Sequence, residues 1–207
     1  MDKKQNVFAV CVALAVMSII VSNVITNKQT NFFGFAVTCG TFLVPVDYIV
    51  SDLVAEIWGY ERARFVTLVA FGCNALAVAF FALTIAAPSF WTFANQNAFE
   101  AVLGNTPRVL VASFTAFVVG SLSNAKIMDL MHARDGENRL ALRCIASTVV
   151  GEFLDMTVFT LMAFAGVLPP AVLAQMIIVS ALIKIAVECI IYPLVTSRVI
   201  RRVKAMA

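Results

Sequence analysis

The stretch Phe65-Val-Thr-Leu-Val-Ala-Phe-Gly-Cys-Asn-Ala-Leu-Ala-Val-Ala-Phe-Phe-Ala-Leu-Thr-Ile-Ala-Ala-Pro88 carries no charged side chain, and Asn74 is its one amide. A helix rises about 1.5 Å per residue, so about 20 apolar residues cross the hydrocarbon core of a bilayer. A soluble helix of this length would show a polar face, and this one has none. It reads as a membrane span. That decides the fold class: an all-α, polytopic membrane protein.

Working outward, blocks 7–26, 35–57, 109–131, 144–167 and 171–196 pass the same test, which with 65–88 makes six expected transmembrane helices. Apolar residues make up 61% of the chain and charged residues 13%, about half the charged share of a soluble domain. Residues 1–207 therefore read as a single membrane domain, with little sequence left for a soluble catalytic or nucleic-acid-binding module. The first block is too long for the core of a leader and lacks a small-residue cleavage site, so it reads as a retained helix. Cys11, Cys39, Cys73, Cys144 and Cys189 stand alone in or beside apolar blocks without CxxC spacing, which argues against a disulfide framework and against a zinc site. No cofactor is expected.

Charge orients the chain. With the N-terminus inside, Lys3, Lys4, Arg62, Arg64, Arg134, Arg139, Arg143, Arg198, Arg201, Arg202 and Lys204 all fall on inner segments, and only Lys28 and Arg108 on outer ones. This is the positive-inside pattern, so an N-in/C-in topology is expected, and the net charge of +3 reports topology and not affinity for nucleic acid. The longest outer connection, 89–108, reads as an interfacial segment or short surface helix, with Trp91 as its anchor. The inner loop 132–143 is the most polar stretch, and its His132 reads as solvated.

Ionisable groups within the spans are costly and mark functional positions by default. Counting along each span places Asp47, Asn74, Asp155 and Lys184 near the midpoints of four helices. Asp52, Asn124 and Glu188 fall between midplane and inner face, Glu56, Lys126 and Asp129 nearer that face, and Asn23, Lys28 and Thr41 on the outer side. Spacing of three or four puts Asp52 with Glu56, Glu152 with Asp155, Lys126 with Asp129 and Lys184 with Glu188 on shared helix faces. The two mixed pairs can neutralise themselves as structural ion pairs. The two acidic pairs cannot, so each shares a proton or awaits a cationic or hydrogen-bond-donating partner. Pro45, inside the second block, predicts a kink beside Asp47, Tyr48 and Asp52, a way transporters open backbone toward a midplane site. Gly120, Ser121 and Ser123 read as close helix packing.

The run Pro45-x-x-Tyr48-x-x-x-Asp52-x-x-x-Glu56-x-x-Gly59-Tyr60-x-x-Ala63-Arg64 resembles a signature of the queuosine precursor transporters, within the vitamin uptake transporter family. The run Arg143-x-x-x-Ser147-Thr148-x-x-Gly151-Glu152-x-x-Asp155-x-x-x-Phe159 is similar to a second one, and Asn23, Lys28, Lys184 and Pro193 fit as well. The chain departs from the family at Glu152, where glutamine is usual, and at Trp58, where a smaller side chain is usual. The extra carboxylate favours a cationic ligand.

The resemblance implies a bacterial inner-membrane importer of 7-cyano- or 7-aminomethyl-7-deazaguanine, or of queuine, working by alternating access with a proton as a coupling candidate. It implies a deazapurine substrate held among Asp47, Tyr48, Asp52, Asn74, Asn124, Glu152, Asp155, Phe159, Lys184 and Glu188. Asp155 or Asp52 would accept the two adjacent N–H groups of the guanine-like edge. Asn74, Asn124 and Lys184 would donate to its acceptors, and Tyr48 or Phe159 would stack on the ring. Glu152 or Asp52 would draw an aminomethyl cation. Partners are then the substrate and the bilayer, with no nucleic acid; a homodimer is common among transporters and no residue here demands one. Two other classes stay open: a substrate-binding subunit of an ATPase-powered vitamin importer, docking through Ala9 and Ala13, and a membrane-embedded enzyme using paired carboxylates. No P-loop is present, so the chain does not hydrolyse ATP itself.

Overall fold

The computed structural model describes residues 3–135 and 140–191, and within these the side chains of Val44, Pro45, Tyr48, Asp52, Asp129, His132, residues 140–145, Glu188 and Cys189, among others, stand outside the described set. The inner loop 136–139, the end of the sixth expected span and the basic residues beyond it, with Pro193, fall outside as well. The described chain is helical apart from one hairpin: α1 (Lys3–Ile25), β1 (Gln29–Phe32), β2 (Phe35–Thr38), a 3-10 turn (Cys39–Leu43), α2 (Val44–Trp58), α3 (Tyr60–Ala86), α4 (Gln96–Leu103), α5 (Thr106–Asp135), α6 (Leu140–Phe164) and α7 (Pro170–Ile191).

Five stretches among the described residues are long and apolar enough to cross a membrane: Lys4–Ile25, Tyr60–Ala86, Gln96–Asn124, Ala146–Phe164 and Pro170–Val187. Apolar side chains face outward along them, including Leu76, Phe80 and Leu83 on α3, Phe114 and Leu122 on α5, and Ile178 on α7. On α7 Leu182 is 61% exposed while Lys184, two residues on, is 8% exposed. Apolar outside and polar inside is the arrangement a hydrocarbon solvent selects. The chain is a multi-pass membrane protein.

The second expected span is different from the continuous helix predicted over 35–57. Its first part is β2 and the 3-10 turn, and α2 begins only at Val44. Pro45 therefore stands in the first turn of α2 and does not kink a span. The physical reason is that proline's missing N–H is no loss where a helix has no partner for it anyway. Asp47 shares that first turn, where a carboxylate meets the positive end of the helix dipole. At 15 residues α2 is about 22 Å long, short of the hydrocarbon thickness.

The hairpin pairs Gln29 with Thr38 through Phe32 with Phe35, antiparallel. Phe33 and Gly34 at its tip both have positive φ, 51° and 89°, as a two-residue primed turn requires. The Asn31 side chain accepts a 2.7 Å hydrogen bond from Gly34 N–H and fixes that turn.

The chain divides into two compact units. One comprises residues 1–28, 39–110 and 186–207, the other 29–38 and 111–185. In the first, α1, α2 and α3 pack around Cys11, Ala15, Val50, Leu53, Val54, Ala63, Val66 and Ala70. The alanines let backbones approach where lipid supplies no hydrophobic drive for helix association. At one end of this core Phe8 meets Trp58 at 5.2 Å between ring centroids, and the Arg62 guanidinium lies 5.3 Å from the Phe8 ring centre. Gly59 separates α2 from α3 at φ 85°, ψ 168°, a conformation open essentially to glycine alone, and its N–H closes α2 on Ala55 O.

The connection after α3 forms α4, as a short helix, and it is tied down by amides. Gln96 donates to Ile85 O at 3.2 Å and to Glu100 Oε1 at 2.7 Å. Asn27, just past α1, donates to Val102 O at 3.1 Å and accepts from Asn105 at 2.9 Å. Phe90 and Trp91 beside these ties are exposed.

In the second unit α5 and α6 touch at two glycines. A Cβ on Gly120 would stand 2.9 Å from the Asp155 Cβ and 3.1 Å from Gly151 O, and a Cβ on Gly151 would stand 3.0 Å from the Asn124 Cβ. Gly120 is thus the close-packing residue the sequence suggests. The helices run antiparallel here, so Asn124 and Asp155 flank the crossing.

Candidate functional site

The α5–α6 crossing sets the geometry of a polar cluster in the second unit. Gly151 and Asp155 are one turn apart on α6, so the face that meets α5 is the face that carries Asp155. Glu152 is beside Gly151. From α7, Lys184 Nζ donates to Asp155 Oδ2 and lies 3.2 Å from Glu152 Oε2. The three side chains are largely shut from solvent, at 10% exposure for Lys184, 16% for Glu152 and 18% for Asp155. The acidic pair that could not neutralise itself has found its cation on the next helix. One ammonium thus meets two carboxylates. Asn124 adds a buried Oδ1 with no hydrogen-bond partner among the described residues.

Phe159, one turn beyond Asp155, packs edge-to-face on Phe164 at 6.2 Å between centroids. Ser180, one turn before Lys184, is buried with it.

A second polar contact lies within the first unit. Asn74 is 1% exposed at the middle of α3, on the stripe Ala63, Val66, Ala70, Asn74 and Val78. Its Oδ1 accepts a 3.3 Å hydrogen bond from Asn23 Nδ2 near the end of α1. Sequence reading placed Asn23 on the outer side but left it out of the substrate set; an amide within an apolar block was the available signal. Ser18 on α1 and Thr26 just past its end are buried as well. Gly40 in the 3-10 turn presses against α1 so closely that a Cβ there would lie 2.0 Å from Thr26 Oγ1.

Of the expected site residues, Glu152, Asp155, Lys184 and Asn124 thus gather on α5, α6 and α7. Asn74 stands in its own amide pair, Phe159 is engaged with Phe164, and Asp47 opens α2. Tyr48, Asp52 and Glu188 lie on described helices with side chains outside the described set. Among the described residues no three His, Cys, Asp or Glu side chains come together as a metal's ligand set.

A multi-pass membrane protein with a buried cluster of two acids and a lysine, framed by a glycine-mediated helix crossing, has the construction of a membrane transporter: rigid helices and an occluded polar core. Comparison with known proteins names the group. Residues 38–197 match the family described as "Putative vitamin uptake transporter", and the chain belongs to that family. A relative in Bacillus subtilis (strain 168), described as "Probable queuosine precursor transporter", is 27% identical over 175 residues, covering 83% of this chain and 76% of the relative. No solved structure matches.

Proposed function

We propose that this chain imports a queuosine precursor, a 7-deazaguanine bearing a cyano or aminomethyl group or the queuine base, across a bacterial inner membrane by alternating access. The name of the Bacillus relative and the signature motifs support the substrate class. The observation that carries the chemistry is one lysine shared by two buried carboxylates. Asp155 and Glu152, drawn together by Lys184, would accept the paired N–H groups of a guanine-like edge, and Asn124 and Lys184 supply polar contacts beside them. A carboxylate there would attract an aminomethyl cation. It also gives a proton somewhere to bind when the site empties, the form coupling would take.

The topology we propose is N-in/C-in, with 1–207 as one membrane domain and α2 as a sixth, shorter membrane helix. Asp47, Tyr48, Asp52, Asn74, Phe159 and Glu188 stay assigned to the substrate path on the sequence pattern. Uptake of the three labelled deazaguanines, with guanine and a small vitamin as competitors, tests the reading in cells that lack their own importer. A preference for a deazaguanine is expected, and equal competition by guanine and the vitamin overturns the substrate.

One observation favours a second reading. Ala9 and Ala13 lie on an exposed face of α1, the spacing that an ATPase-powered importer's membrane subunit would use to dock its partner. Uptake that vanishes in cells without any such ATPase module would establish that reading in place of the first.

A further inference from the structure

The Asn23–Asn74 contact is half of what two amides can make. Two facing carboxamides can close a ring of two hydrogen bonds, each donating to the other. Here Asn23 Nδ2 donates to Asn74 Oδ1, while Asn23 Oδ1 and Asn74 Nδ2, both buried, have no partner among the described residues. Leaving a buried donor and a buried acceptor unmade is unfavourable, and proteins rarely tolerate it without use. The two idle atoms are complementary, one acceptor and one donor, carried by two amides already joined to each other.

We infer that the Asn23–Asn74 pair is a ligand subsite that reads a heterocycle edge carrying an N–H beside a lone-pair acceptor. Asn23 Oδ1 accepts the N–H and Asn74 Nδ2 donates to the neighbouring acceptor, the same acceptor and donor that a single Asn or Gln amide offers to an adenine edge. This rests on the proposed transport of a base-like substrate. A 7-deazaguanine has three such edges: the ring N–H with its adjacent carbonyl, in the free base only the N9–H with N3, and the exocyclic amino N–H with N3. The second would let the protein take the base and refuse its nucleoside. A transporter site shut on both sides hides such atoms from solvent, in keeping with Asn74 at 1% and Asn23 at 5% exposure.

Two isosteric substitutions separate recognition from packing. Asn74→Asp keeps the acceptor for Asn23 and replaces the idle donor by an oxygen; Asn23→Asp keeps the idle acceptor and removes the donor that ties the helices. Purified protein is assayed by thermal shift and, reconstituted in vesicles, by uptake with 7-cyano-7-deazaguanine and its N9-methyl, 6-O-methyl and N2,N2-dimethyl derivatives. The wild type is expected to discriminate against at least one methylated derivative by about tenfold or more. Asn74→Asp should lose that discrimination while holding its melting temperature, and Asn23→Asp should lose melting temperature while keeping the discrimination. The same split with the two residues exchanged supports the pair with its amides turned over. Asn74→Leu guards against an acidic variant that fails to insert, and it too should lose discrimination. Discrimination unchanged in Asn74→Asp and Asn74→Leu, or uptake that falls only in step with melting temperature, overturns the subsite; so does an experimental structure in which a resident water alone joins the two atoms with substrate bound elsewhere. A wild type that ignores deazaguanines but binds guanine, with the split preserved, would fail the substrate reading and leave the subsite standing.

Discussion

Lys184 on α7 donates to Asp155 on α6, and Glu152, one turn before Asp155, stands 3.2 Å from the same nitrogen. Removing a partner from a buried ion pair costs about 3–5 kcal/mol, because a charge is left uncompensated. The three groups therefore respond unequally. Lys184→Met takes the shared ammonium from both carboxylates, whereas Asp155→Asn leaves Lys184 with Glu152. Lys184→Met should lower the melting temperature of the detergent-purified protein further than Asp155→Asn. The reverse order would mean that the lysine is not the shared cation.

Asp155→Asn should nevertheless abolish uptake, by about a hundredfold or more, with membrane insertion unchanged on fluorescence-detected size exclusion. The amide keeps the shape and loses the charge that Lys184 meets and that the proposed substrate's N–H groups would meet. Unimpaired uptake in this variant and in Asp52→Asn would remove both from the site.

Glu152→Gln removes one carboxylate while leaving the Asp155–Lys184 contact. The expected outcome is a shift in preference from the aminomethyl toward the cyano substrate. Paired competition assays measure it, and an unchanged ratio would show that Glu152 does not sense ligand charge.

Gly120→Leu cannot be accommodated where even a Cβ would meet Asp155 and the Gly151 carbonyl. Overpacking of this kind costs about 1–3 kcal/mol. A drop in thermal stability is expected together with reduced uptake, since the displaced α6 carries both carboxylates; a stable, fully active variant would show the crossing to be looser than described.

Gly59→Ala places a side chain at φ 85°, ψ 168°, at a cost of about 1–3 kcal/mol. Nothing lies within 4 Å of a Cβ there, so the loss would come from backbone strain and not from a clash. Thermal denaturation checks it, and Gly59→Ala should match Gly59→Ser within error.

The membrane spans were legible because hydrocarbon demands long apolar runs, and 65–88 satisfies that demand with no other signal needed. The second block misled because β2 and the 3-10 turn are as apolar as a helix, and composition does not distinguish them. Its turn was hidden too: Phe33 at positive φ is not the Asn or Gly that marks a primed turn in sequence. Pro45 was read as a kink because the start of α2 was not visible. In the site, one-turn spacing puts Glu152 and Asp155 on one face of α6, where both meet Lys184; the pairing of Lys184 with Glu188 lies outside the described side chains. The Asp155 and Glu152 contacts cross from one helix to another, and intrahelical periodicity is blind to such contacts.

The short connection 165–169 between α6 and α7 bears on biogenesis. A nascent α6 entering lipid alone would bring Glu152 and Asp155, and α7 alone Lys184 and Glu188, each unfavourable by about 2.5–3.5 kcal/mol on insertion scales. Joined by so brief a turn, the two segments can leave the insertion machinery as one helical hairpin with Lys184 already facing Asp155. The residues proposed to hold the substrate would then also decide whether the last third of the chain enters the membrane at all.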